Sequence, residues 1–273
     1  MNQDTILERI AAALERLSPL PAPPPDPASP AFVWSATGLQ PVTNFAPLPL
    51  AQLSGIDAQR DAVLENSRRL AVGHAAHDIL LWGARGSGKS ALVKSCVAAL
   101  QGEGAALRLI EIAADQMRDL PKLFAAIAHW PGASLIFIDD LAFEGQDQST
   151  RLLRSVLEGG ASARPANVRI YVTSNRRHIV ARDMAEAASA INPRDSVDDS
   201  LALADRFGLS LGFHACDQAT YLAMVAGYAA AYGFDFDPAD ALTWAAQRGA
   251  RSGRIAWHYV TECCGRMGFN PQN

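Results

Sequence analysis

The chain is 273 residues long, 49% apolar and 19% charged, enough for a packed α/β domain plus a small helical one, and it excludes global disorder. Basic and acidic residues number 24 and 28, and only Lys89, Lys94 and Lys122 are lysines, so the composition carries no broad nucleic-acid footprint. The four cysteines (Cys96, Cys216, Cys263, Cys264) lack C-x-x-C spacing, apolar runs are short, and no hydrophobic leader opens the chain. The expectation is a reduced, cytoplasmic protein with no membrane span and no zinc or disulfide framework.

Ile6, Ile10, Leu14 and Leu17 form one stripe, which predicts an amphipathic helix over residues 1–18. It is too short to stand alone and must dock, on its own domain or on an unknown protein partner. Seven prolines between Pro19 and Pro30 predict an extended tether over residues 19–30. Residues 31–214 then read as one α/β unit. A helix is predicted at 57–71, a strand at Asp78–Trp82 ending in Gly83, a helix at Lys89–Leu100 and a strand at Leu107–Ile112. A helix opens near Asp119, with Pro121 in its first turn, and Leu135–Ile138 is a buried strand. Leu152, Leu153, Val156 and Leu157 form a helical stripe that stops at Gly159-Gly160, before strands at Val168–Thr173 and Leu209–Phe213. This alternation predicts a five-stranded parallel sheet with helices on both faces. Residues 215–273 carry no strand signal and read as a helical lid, with helices at 217–232 and 238–266.

The strongest local signal is Gly83-Ala84-Arg85-Gly86-Ser87-Gly88-Lys89-Ser90, a full G-x-x-x-x-G-K-[ST] match between a predicted strand and a predicted helix. Backbone N–H groups wrap a triphosphate closely only where glycines remove Cβ atoms or allow positive φ, and the helix N-terminus adds positive potential. Lys89 is placed to reach the β- and γ-phosphates, the Ser90 hydroxyl to ligate Mg²⁺, and Ala91 completes the loop contacts. Asp139 and Asp140 end an apolar strand, where ligands bind in an open parallel sheet. Asp139 is the expected Mg²⁺ ligand through water, and Asp140 the group that orients or deprotonates the attacking water. Tyr171-Val-Thr-Ser-Asn175 is a strand leading to an amide that can both donate to and accept from that water.

These motifs, followed by Ala204-Asp-Arg206-Phe-Gly208 and Ser252-Gly-Arg254, occur in the order and spacing of an AAA+ ATPase, across about residues 50–260. Leu80–Leu92, Ile138–Phe143, Ser155–Arg164, Ser174–His178 and Leu203–Gly208 resemble a bacterial AAA+ family whose physiological role is unassigned. Ile138-Asp-Asp-Leu141 is also similar to replication initiators and helicase loaders. The resemblance implies ATP and Mg²⁺ as cofactors and a ring or helical homo-oligomer. It implies Walker B carboxylates at Asp139 and Asp140, sensor 1 at Asn175, an arginine finger acting in trans at Arg206, sensor 2 at Arg254 and an adenine-lining segment at Gly55-Ile56-Asp57. Asp140 departs from the Glu of many relatives, so Glu144 is a second candidate for water activation. Three readings follow: a hydrolysing remodeller, an ATP-dependent switch with little hydrolysis, and a helicase-loader-like ATPase on DNA. The last is disfavoured by the net charge of −4 and the absence of a helix-turn-helix after the lid. The cluster Arg176-Arg177-His178 reads as a solvated loop or an oligomer contact ahead of a DNA phosphate contact.

Overall fold

The computed structural model describes residues 7–9, 25–141, 148–159, 164–175, 204–268 and 270. Strands β1 (Ala31–Ser35), β2 (Gly38–Pro41), β3 (Ile79–Gly83), β4 (Leu107–Glu111), β5 (Ala133–Ile138), β6 (Val168–Ser174) and β7 (Leu209–Phe213) form one sheet in the order β2-β1-β4-β5-β6-β3-β7. All five expected strands are present, adjacent and parallel. The sheet is two strands wider than expected: β1 adds in parallel to β4, and β2 folds back antiparallel on β1. The short Ala31–Pro41 run lacks the long apolar signal of a central strand because its two strands are brief and the outer one, β2, is a half-solvated edge closed by Pro41.

Along β5 the side chains alternate between two cores. Ala133, Leu135 and Phe137 face one, with helices α1 (Asp57–Ala71) and α2 (Lys89–Gly102). Ile136 and Ile138 face the other, with α3 (Leu120–Ile127) and α4 (Gln148–Leu157). Burial on both faces explains why the strand is apolar throughout instead of alternating with polar residues. Between the layers, the Tyr171 hydroxyl meets Asn66 Nδ2 (2.8 Å) and Ser67 Oγ (2.9 Å), and burial pushes that phenol up to about 12. Burial likewise pushes the Cys96 thiol to about 12, and all four cysteines are free thiols.

The chain ends in α5 (Gln218–Ala231), α6 (Pro238–Gln247) and α7 (Gly253–Arg266), packed around Tyr221, Val225, Ala241 and Val260. The single helix expected over 238–266 is therefore two. Arg248 ends the first, and Ser252 Oγ accepts from Ile255 N–H to cap the second. The periodicity continues across the break because both helices face one core, so only the cap chemistry marks it. Of the helix expected over residues 1–18, residues 7–9 are helical. Its remainder, Glu144 and the Arg176-Arg177-His178 cluster lie outside the described residues. Among the described residues no helix is long and apolar enough to cross a membrane.

At the amino end of the sheet, Asp78 accepts from Arg164 Nη1 at 2.7 Å on both oxygens and from Ile170 N–H at 2.8 Å. Asp78 is buried, so removing it strands the guanidinium. Asp78→Ala is expected to lower stability by about 3 kcal/mol, read as a fall in the urea midpoint with an unchanged slope.

Candidate functional site

The strand order decides which residues meet. The strand β6 lies between β3 and β5, so the carboxyl end of β6 stands between the phosphate loop that leaves β3 and the carboxylates that end β5. Lys89, the first residue of α2, is only 5% exposed and donates to Gly83 O (3.0 Å), Ala84 O (2.7 Å) and Asn175 Oδ1 (3.1 Å). On its other side Asn175 donates from Nδ2 to Asp140 Oδ1. A second chain of bonds runs beside it. Ser90 Oγ donates to Asp139 Oδ1 (2.6 Å), and Thr173 Oγ1 donates to the same oxygen (2.5 Å). Thr173 Oγ1 also accepts the Asp140 N–H at 2.8 Å.

The loop is a cradle that side chains would fill. Gly83 has φ 129, and a Cβ there would fall 2.0 Å from the Phe213 carbonyl oxygen of β7. Gly86 has φ 72, and its Cβ would meet Ser252 Oγ at 2.9 Å and Arg254 Cβ at 3.3 Å, so this glycine lets the start of α7 close on the loop. The exposed N–H groups at the N-terminus of α2 face the same space, as anion binding requires. Ser90 and Asp139 offer the hard oxygen donors that suit Mg²⁺, and Lys89 supplies charge for phosphate oxygens, so the residues present fit Mg²⁺-ATP.

A cavity of about 500 Å³ holds this set: Gly86–Ala91, Asp139, Asp140, Asn175 and Arg254 line it together. Leu48, Leu53, Tyr228 and Trp257 form its apolar wall. Sequence reasoning missed these four, because an apolar residue bordering a site looks like any core residue; Trp257 in particular reads as lid core. Gly55 and Ile56 line a neighbouring cavity of about 870 Å³ with Ala84, Arg85 and Ser87, on the other side of the loop. Arg206 is not in either cavity. Its Nε donates to Glu158 Oε1 at 2.5 Å, at the end of α4. Thr173 was also missed as a site residue, since a buried strand threonine carries no spacing signal of its own.

Burial lowers the Lys89 pKa, an effect that Asp139 and Asp140 oppose. Asp140 has φ 53, the only non-glycine residue with positive φ among the described residues. A left-handed Asp is held there by its surroundings, at a backbone cost of about 1–3 kcal/mol.

Two solved structures of RuvB from Thermotoga maritima, one described as a Holliday junction branch migration motor, match 84% of this chain and 69% of theirs. Both are 17% identical, with TM-scores of 0.54 and 0.50. Orc1 from Aeropyrum pernix, in complex with DNA, matches 85% of this chain and 68% of its own, at 14% identity and a TM-score of 0.52. No curated protein is significantly similar in sequence. At these identities the likeness is one of fold, and the fold is that of the AAA+ class. By sequence the chain belongs to the family described as "Protein of unknown function (DUF815)", whose model matches residues 27–267.

If the cradle binds nucleotide, ATP at 100 times its Kd stabilises the protein by about 2.7 kcal/mol. Lys89→Ala is expected to abolish that thermal shift. Only the charged ammonium serves the phosphates, and burial lowers the pH at which it is lost. ATP affinity in the native protein is therefore expected to begin to fall, as pH rises, below the ordinary lysine value of 10.5; a calorimetric Kd series across pH reads it.

Proposed function

We propose that this chain is a Mg²⁺-dependent ATPase of the AAA+ type. On this reading it works in the cytoplasm as a homo-oligomer and couples its nucleotide cycle to remodelling or assembling a protein partner. The observation that carries the reading is the meeting of Lys89, Ser90, Asp139, Asp140 and Asn175 through direct hydrogen bonds in one cavity. Residues 31–214 form the nucleotide-binding unit and 215–273 the lid, with residues 19–30 tethering an N-terminal helix, 1–18, that reaches the partner.

The chemistry follows from the polar set. The loop N–H groups and Lys89 bind the β- and γ-phosphates, and to do so Lys89 exchanges the Ala84 and Asn175 oxygens for phosphate oxygens. Ser90 and Asp139 hold Mg²⁺, which supplies charge neutralisation at the phosphate oxygens. Asn175 orients the attacking water and Asp140 accepts its proton; Arg254 approaches the γ-phosphate from the lid. Adenine is the base expected from the family resemblance, with Gly55 and Ile56 beside it. Catalysis is positioning and electrostatics, with no covalent step from the protein. Arg206 lies outside both cavities, as a finger serving a neighbouring subunit requires, and in that role it exchanges its ion pair with Glu158 for the neighbour's nucleotide.

A second reading, a binding switch with little turnover, is favoured by one observation. The Asp140 carboxylate is one methylene shorter than Glu and is already engaged by Asn175. DNA association, suggested by the RuvB and Orc1 neighbours, predicts binding that weakens steeply with salt.

Turnover per protomer across a wide range of protein concentration, with Lys89→Ala as blank, separates these readings. A steep rise with concentration supports the oligomeric ATPase; ATP binding with turnover at the blank level supports the switch. Asp140→Asn is expected to keep nucleotide binding and lose turnover. Arg206→Ala is expected to lose about 10³-fold in rate or more, with partial recovery on mixing with Lys89→Ala subunits. Failure to complement sinks the trans assignment.

A further inference from the structure

We propose that Thr173 is the positioning residue of this site, and that its single hydroxyl sets both the metal-facing and the water-facing carboxylate. The inference rests on the Mg²⁺-ATP reading and deepens it. A threonine hydroxyl has one proton and two lone pairs. Here the proton goes to Asp139 Oδ1 at 2.5 Å, and a lone pair takes the Asp140 N–H at 2.8 Å. The Thr173 carbonyl then takes the Leu141 N–H at 2.8 Å. One residue of β6 thus clamps the backbone on both sides of Asp140, the residue with φ 53. Thr173 itself is buried, at 1% exposure, near the carboxyl end of β6, where it lines the cavity.

Two donors share Asp139 Oδ1, and they are not equivalent. Ser90 would hold Mg²⁺ through its hydroxyl oxygen, a role that would leave its bond to Asp139 exchangeable. Thr173 has no ligand role to exchange it for, so it would keep Oδ1 fixed with or without the metal and leave Oδ2 for the metal side. Threonine suits this role because β-branching stiffens χ1, which holds the hydroxyl between the two aspartates. Outer-shell partners of this kind are worth about 10–100-fold in metal affinity or activity.

The test measures the affinity of AMP-PNP with Mn²⁺ and with EDTA, for the wild type, Thr173→Val, Thr173→Ala and Thr173→Ser. In the wild type, Mn²⁺ tightens binding. The Val and Ala variants are expected to keep the metal-free affinity and lose about tenfold or more of the Mn²⁺-dependent gain. Thr173→Ser restores it to within about threefold, because the hydroxyl returns on a looser χ1. In turnover the same pair raises KM for Mg²⁺-ATP and lowers kcat, and Thr173→Ser recovers both. A Val or Ala variant with the wild-type Mn²⁺ gain overturns the inference. So does a Ser variant as impaired as Val, which would make the effect one of packing. A hydroxyl-free variant that merely misfolds loses both affinities together, and Thr173→Ser alone then decides. Absence of AMP-PNP binding in the wild type refutes the nucleotide reading itself, a result distinct from all of these.

Discussion

A parallel sheet buried on both faces has one place to present polar groups, the ends of its strands, and the rest of this molecule is organised around that limit. The flat faces are taken up by α1 and α2 on one side and α3 and α4 on the other. Six strands run in the same direction, so their carboxyl ends finish along one edge. The phosphate loop, the two aspartates and the Thr173–Asn175 run are the residues at those ends. Lys89, Ser90, Asp139, Asp140, Thr173 and Asn175 bond to one another because strand order brings these polar ends within hydrogen-bond reach.

That network is poised as well as connected. Lys89 is charged, largely buried and satisfied by two carbonyls and an amide. Each of those partners is neutral, so phosphate oxygens offer the ammonium a stronger bond than the one it gives up. On the proposed reading that exchange would release Asn175, whose other end is tied to Asp140, and so would couple phosphate occupancy to the residue proposed to handle water.

The lid reaches the same place by a different route. Its three helices have their own apolar core, against which Leu48 packs, and their closest approach to the sandwich is made at glycines. Gly86 admits Ser252 and Arg254, and Gly55 admits Thr220 of α5. Close backbone approach of this kind ties the lid position to the loop conformation. Arg254 stands at the first turn of α7 beside the cavity because Ser252 caps that helix.

Much of this was legible in the chain. The apolar run ending in Asp139-Asp140, the strand before Gly83 and the loop through Ser90 are local signals, since strand burial and loop conformation depend on residues a few positions apart. The edge hairpin and the break between α6 and α7 were not, because an edge strand is half solvated and a helix break leaves the apolar stripe in phase. The sequence by itself determined the P-loop α/β class and the identity of the polar set, since residue type alone dictates which groups suit phosphate, cation or water. Only the tertiary structure decided that Thr173 bridges both aspartates, that Trp257 and Tyr228 wall the cavity and that Arg206 lies with Glu158. These pairings join residues 30 or more positions apart in sequence, and strand order, which no local pattern specifies, sets which ends become neighbours.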